Sequence, residues 1–179
     1  MSLSAIELHV GPWTEAEFLE LPEDNRRIEL LDGALLVSSP SPRHQDMCAR
    51  MWRALDALRP RGMRVFVPID VRVGPNRILV PDLVVVRHDR MDFQVLDAVD
   101  AALAIEIVSP GSVASDRAIK PPLYAQAGVP YFVRVELGGP TAVVGTLTGD
   151  RYTFGAPDSV LRLTDPFPIE IDLPGLLEN

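Results

Sequence analysis

A chain of 179 residues with 47% hydrophobic and 23% charged residues can bury a real core, and its composition is that of an ordinary globular protein. The net charge of −8 argues against broad, non-specific nucleic-acid binding, which depends on neutralising phosphates, although it leaves room for a local basic patch. Cys48 is the single cysteine, which excludes an internal disulfide and a cysteine metal cluster, and no apolar run reaches the roughly 18 residues a membrane helix needs.

One domain spanning residues 1–179 is therefore the expectation. Met1 to Glu7 lacks the basic and apolar regions of a signal peptide, so the expected location is cytoplasmic. Thr14 with Glu17 three residues later is a capping box that opens a short helix ending before Pro22. Arg27 to Val37 reads as a hairpin around the Asp32-Gly33 turn. Glu29 lies in its first strand, where on local grounds it reads as an exposed cross-strand charge.

After the break at Ser38 to Pro42, a helix is expected through Arg59, ended by Pro60 and Gly62. Met47, Met51, Leu55 and Leu58 make its core stripe. Cys48 reads as a small apolar residue on this helix. His44 falls in the first turn, where a lone histidine reads as a surface or capping residue. Arg43, Arg50 and Arg53 make this the most basic surface of the chain.

Arg64 to Val73 and Ile78 to Val86 read as a second hairpin turned at Gly74-Pro75-Asn76. Pro81 has no N–H to give a ladder, so Asp82 follows a bulge or an edge position. Asp97 to Asp100 lead into a strand from Ala101 to Val108. The runs Leu79 to Val86 and Ala104 to Val108 are Val, Leu and Ile with one carboxylate set into each, as expected for strands buried on both faces. A carboxylate in such a place is costly unless a metal, a cation or good hydrogen bonds meet it. Asp82 and Glu106, with Lys120 further on, suggest a shared cation site. Alternatively, both carboxylates sit at strand ends, solvated or paired with arginines.

Ser109 to Ser112 is a sharp exit from that strand. Pro121 and Pro122 fit the first turn of a helix and not its interior, so a regular helix is expected to begin near Lys120, or to kink there, and to end at Gly128. A strand from Val129 to Val135 follows. Short segments at Ala142 to Leu147, Tyr152 to Phe154, Val160 to Leu163 and Ile169 to Ile171 form an antiparallel tail. The chain contains no repeats, glycine-rich phosphate loop, Gly-x-Ser-x-Gly or His-Glu-x-x-His.

Glu29-Leu-Leu-Asp-Gly33, the His44 helix, Pro81-Asp82 followed by valines, Glu106-Ile-Val-Ser109, Asp116-x-x-x-Lys120-x-x-x-Tyr124 and Ala127-Gly-Val-Pro-Tyr131 occur in this order. Together they resemble the Uma-two family of putative restriction endonucleases, within the PD-(D/E)XK nuclease superfamily, from about Thr14 to about Val135. The resemblance implies an α/β (mixed α+β) fold: a restriction-endonuclease-like central mixed sheet flanked by helices, with the hairpin before it and the antiparallel tail after it. It implies Mg²⁺ or Mn²⁺ held by Asp82, Glu106 and the carbonyl of Ile107. The superfamily lysine normally sits two residues after the acidic one, at Val108 here, and Lys120 on the following helix matches the position to which it has moved in this family. Asp82, Glu106 and Lys120 are thus the implied catalytic residues. Glu29, His44 and Asp116 are implied to support them, with Asp116 orienting Lys120 and Tyr124 packing beneath it. Two departures are Pro121-Pro122 directly after Lys120, and Phe132-Val133-Arg134-Val135 where the family carries Trp and then Asp.

The implied function is metal-dependent hydrolysis of DNA phosphodiester bonds, with DNA as partner and a homodimer as the expected assembly. A catalytically inactive nuclease fold serving as a binding module is the alternative. A small-molecule hydrolase using the same metal is a third reading, since fold alone does not fix function.

Overall fold

The structure is a computed structural model and describes residues 6, 9–22 and 27–178. The expectation of no signal peptide is read from residues 1–7, all but one of which lie outside the described residues, as do residues 8, 23–26 and 179 of the expected 1–179 unit. No helix among the described residues is long and apolar enough to cross a membrane.

Local signals act first. Helix α1 (Glu15–Leu19) carries the capping box: Thr14 accepts from the Glu17 amide, and Glu17 accepts from the Thr14 amide. Strands β1 (Arg27–Leu31) and β2 (Ala34–Ser38) pair antiparallel. Their turn holds Asp32 at φ 50° and Gly33 at φ 88°, the left-handed pair a two-residue hairpin needs. Gly33 is also required by space, because a Cβ there would lie 2.5 Å from the Pro12 Cβ. Helix α2 (Pro42–Leu58) starts at the Ser41 cap and turns Met47, Cys48, Met51 and Leu55 into the core.

The second hairpin is real but divided between two sheets. Strands β4 (Val71–Gly74) and β5 (Arg77–Leu79) pair with each other and join β1 and β2. The outer arms, β3 (Arg64–Phe66) and β6 (Leu83–Val86), pair in a different sheet. Pro68 and Pro81 stand at the crossings, where a missing N–H interrupts the ladder. The run from Leu79 to Val86 is therefore two strands, and Asp82 lies in the gap between them.

With β7 (Leu96–Asp97) the first sheet reads β2-β1-β5-β4-β7. The larger sheet reads β11-β10-β9-β8-β6-β3, where β8 is Ala101–Val108, β9 Tyr131–Glu136, β10 Thr141–Thr148 and β11 Arg151–Phe154. All its pairs are antiparallel except β8 with β9, which are parallel. A parallel pair needs a crossover. Here a π-helical turn (Ser115–Ile119) and helix α3 (Lys120–Gln126) supply it. The expected antiparallel tail splits: β10 and β11 extend the large sheet, while β12 (Val160–Leu163) and β13 (Ile169–Asp172) form their own hairpin, followed by α4 (Leu173–Leu177).

Strands β6 and β8 are buried along their whole length, as continuous apolar runs predict. Leu83, Val85, Leu103, Ile105 and Ile107 pack with α2 on one face. Val84, Ala104 and Phe132 pack with Tyr124 and Ala125 of α3 on the other. The strand period of two puts Glu106 on the α3 face.

Candidate active site

Glu106 sits near the end of β8, 1% exposed, in the centre of the large sheet. Its Oε1 accepts from Lys120 Nζ at 3.1 Å and from the Tyr124 hydroxyl at 2.9 Å. Its Oε2 is buried with no hydrogen-bond partner among the described residues. Lys120 Nζ also lies 2.9 Å from Glu29 Oε1 and 3.4 Å from Asp116 Oδ1. The π-helical turn sets Asp116 and Lys120 four apart on one side, and such widened turns are frequent at functional sites. Pro121 and Pro122 occupy the first turn of α3, where their missing N–H groups cost nothing, and leave the Lys120 side chain directed at Glu106.

Asp82 is buried, with a partner on each oxygen. Oδ1 accepts from Arg27 at 2.5 Å; Oδ2 accepts from the Ile107 amide at 2.6 Å and lies 3.1 Å from His44 Nε2. The Ile107 amide neighbours Glu106 in sequence, so it ties Asp82 to the strand that carries the second carboxylate. Glu29 Oε1 additionally accepts from the Val80 amide at 2.7 Å, two residues before Asp82.

Burial works against every charge here, and partners decide the outcome. Burial alone would raise the Asp82 carboxyl, but His44, Arg27 and the Ile107 amide hold it below its ordinary range. Burial pushes Glu106 up to about 8, against the pull of the Lys120 ammonium and with Asp82 adding to the rise. Lys120 would be lowered by burial, yet Glu106, Glu29 and Asp116 leave it raised. Burial, with Asp82 nearby, lifts the Cys48 thiol to about 12, consistent with a small apolar residue on the helix. Four buried carboxylates, Glu29, Asp82, Glu106 and Asp116, face two fixed cations, Arg27 and Lys120; the acids outnumber the cations, and Glu106, raised to about 8, holds a proton at neutral pH in place of one of the excess charges.

A cavity of about 270 Å³ opens beside this cluster and is lined by Arg27, Glu29, His44, Asp82, Asp116 and Lys120 among others. His44, Cys48 and Asp82 also offer ligand atoms that all lie within 4.8 Å of one another, close enough to hold a metal ion.

The structure thus brings Asp82, Glu106, Lys120, Glu29, His44 and Asp116 into one network. Two local readings need correction. Glu29 is buried at 4% exposure and not an exposed cross-strand charge, because Val80 and Lys120 cover it. His44 is buried at 5% and does not cap the helix: Ser41 does, and His44 faces Asp82. Of the two alternatives for the carboxylates, an arginine does meet Asp82, while Glu106 lies within the strand. For Ile107 the contact to Asp82 is through its N–H. Arg27 escaped sequence reading because its partner lies 55 positions away. Tyr124, expected only to pack, also donates to Glu106, a role its position four residues after Lys120 already permits.

A second perturbed acid lies close by. Burial, with Glu29 adding to it, raises Asp70 to about 6 from its ordinary 3.8. The folded state therefore holds this proton more tightly than the unfolded chain, and stability falls as pH rises from about 4 to about 6. Asp70→Asn removes that cost. It should stabilise the protein by on the order of 1 kcal/mol at pH 8, after screening at this partly exposed position, and leave it unchanged at pH 3.5. Urea unfolding at the two pH values checks this; equal effects at both would refute it.

No curated protein matches the chain. A solved structure titled "a putative nuclease belonging to DUF820", from Anabaena variabilis, is similar in fold: TM-score 0.76 at 19% identity, over 93% of this chain and 98% of that one. Residues 15–176 match the family Uma2, described as "Putative restriction endonuclease". The chain belongs to the Uma2 family.

Proposed function

We propose that the protein is a metal-dependent endonuclease that hydrolyses DNA phosphodiester bonds, with Mg²⁺ or Mn²⁺ held by Asp82 and Glu106. The observation that carries this reading is the buried Glu106 Oε2, which has no partner among the described residues, in a cluster whose four carboxylates outnumber its two fixed cations. A native protein rarely leaves such an atom orphaned, and a site for a bound ion is one established cause. A divalent cation would satisfy both the oxygen and the charge.

The donor chemistry fits. A carboxylate offers about four lone-pair sites. Asp82 has one oxygen with a single donor, and Glu106 has one oxygen with none. Hard oxygen donors suit Mg²⁺ and Mn²⁺. The His44, Cys48 and Asp82 set, with its thiol and imidazole, would suit a softer ion than Mg²⁺ or Mn²⁺. When bound, the cation supplies Lewis-acid charge opposite the negative charge that develops on the phosphoryl oxygens. Lys120 has three N–H donors and three carboxylate neighbours, so its role is to hold Glu106 and Asp116 and to keep positive charge on the cavity wall. His44 and the Ile107 amide fix the orientation of Asp82, and Glu29 fixes Lys120.

One observation favours the alternative of an inactive binding module: Arg27 already meets Asp82. The readings part at metal binding. Calorimetric titration with Mn²⁺ should give a saturable signal in the wild type that Asp82→Asn abolishes, and the Mn²⁺-loaded protein should cut single-stranded, double-stranded or branched DNA. No saturable Mn²⁺ signal establishes the inactive module. Binding without cleavage of any of the three substrates ends the claim of DNA hydrolysis.

A further inference from the structure

Arg27, His44 and Pro40 form a wall shared by two cavities. On one side is the small polar cavity of the carboxylate cluster. On the other is a space of about 720 Å³, lined mainly by apolar groups including Leu21, Ile28 and Ile69, with Asp70, Gln45 and Gln94 set among them. That volume is within the roughly 300–1,000 Å³ of small-molecule sites, and an apolar lining with a few convergent polar groups is their usual character. The Arg27 guanidinium is largely buried and has Asp82 as its hydrogen-bond partner among the described residues. A guanidinium carries five N–H donors, so four remain for an anion at this wall.

We infer that the larger cavity receives an unpaired nucleobase whose backbone phosphate lies against Arg27, at the mouth of the carboxylate cluster. The substrate is then a single-stranded, displaced or flipped nucleotide and not an intact, fully paired duplex. This rests on the reading of the site as a nuclease and adds which form of DNA it takes. What supports it is that the two cavities meet at the same three residues, Arg27, Pro40 and His44. A phosphate near Asp82 and Glu106 places the attached sugar beside Arg27 and His44, and beyond them the open space is apolar. A base stacked in a duplex cannot enter such a space; a base taken out of the stack can, and it would be read by hydrogen bonds along its edge. Asp70, with its carboxyl raised above the ordinary range, Gln45 and Gln94 are donors and acceptors suited to that edge.

The test measures binding without metal or cleavage. Fluorescence anisotropy in EDTA compares a labelled 20-nucleotide single strand with the blunt duplex of the same sequence. The single strand should bind at least about tenfold more tightly, the scale of one base–protein stacking contact. Ala49→Trp and, separately, Gln45→Trp place bulk at the cavity from exposed positions of α2, so the fold is unaffected. Each should bring single-strand affinity down to that of the duplex, whereas Arg27→Gln should weaken both forms and flatten the salt dependence. Equal affinity of wild type for the two forms, no detectable binding of either, or a preference that survives both tryptophan variants would overturn the inference. The Mn²⁺ titration above does not involve this cavity, so saturable Mn²⁺ binding beside a failed single-strand preference would remove the base subsite alone.

Discussion

Lys120→Met should lose about 3–5 kcal/mol of folding stability at pH 7, the cost of leaving buried charge without its partner. Methionine keeps most of the stem volume, so the loss reports the ammonium. Three carboxylates meet that ammonium at 2.9, 3.1 and 3.4 Å, and Glu29, Glu106 and Asp116 are each at most 4% exposed. Without Lys120 they repel one another in a medium that screens poorly. The carboxylates keep Lys120 protonated above its ordinary 10.5, so its stabilising effect is present in full at pH 7 and is lost only as pH rises past that value. Urea unfolding in EDTA at pH 7 measures the loss. A loss below 1 kcal/mol at pH 7 would mean that this ammonium is not the counter-charge of the cluster.

The parts of this architecture that were legible in the sequence are those decided within a few residues. Thr14 and Glu17, Asp32 and Gly33, and Pro121 and Pro122 each constrain their own backbone, and each does in the structure what its chemistry dictates. The uninterrupted apolar runs of β6 and β8 announced strands buried on both faces. The division of the second hairpin between two sheets was marked by Pro68 and Pro81, but a proline says only where a ladder stops, not which strand takes over. Glu29 and His44 were misread from local pattern for a shared reason. Each is covered by a group from a distant element, which no local pattern records: Val80 and Lys120 for Glu29, Asp82 for His44. Arg27 carried no signal at all, since nothing within its strand distinguishes it from an exposed cross-strand cation. Family resemblance placed Glu29 and His44 at the site where the local patterns did not.

Asp82→Asn and Glu106→Gln should both abolish saturable Mn²⁺ binding and DNA cleavage, yet they should differ in stability. Asp82 answers Arg27, His44 and the Ile107 amide. An asparagine there leaves the largely buried Arg27 charge without its counter-ion and turns an acceptor into a donor, at a cost of about 3 kcal/mol. Glu106 has one oxygen met by Lys120 and Tyr124, while the other is buried without a partner among the described residues. Glutamine keeps the oxygen that Lys120 and Tyr124 meet and is neutral, as is a Glu106 carboxyl that burial raises to about 8, so Glu106→Gln should stay within about 1 kcal/mol of wild type at pH 7. Thermal melts in EDTA and Mn²⁺ calorimetry on the two variants give the four values needed. Mn²⁺ should raise the melting temperature of the wild type and of neither variant, since a ligand stabilises only the state that binds it. If Glu106→Gln proves as destabilising as Asp82→Asn, the unpartnered oxygen is a structural group engaged in the folded protein and not a position kept open for a cation. If instead Glu106→Gln retains the Mn²⁺ response, the cation is held by another set of residues, and the assignment of Glu106 falls.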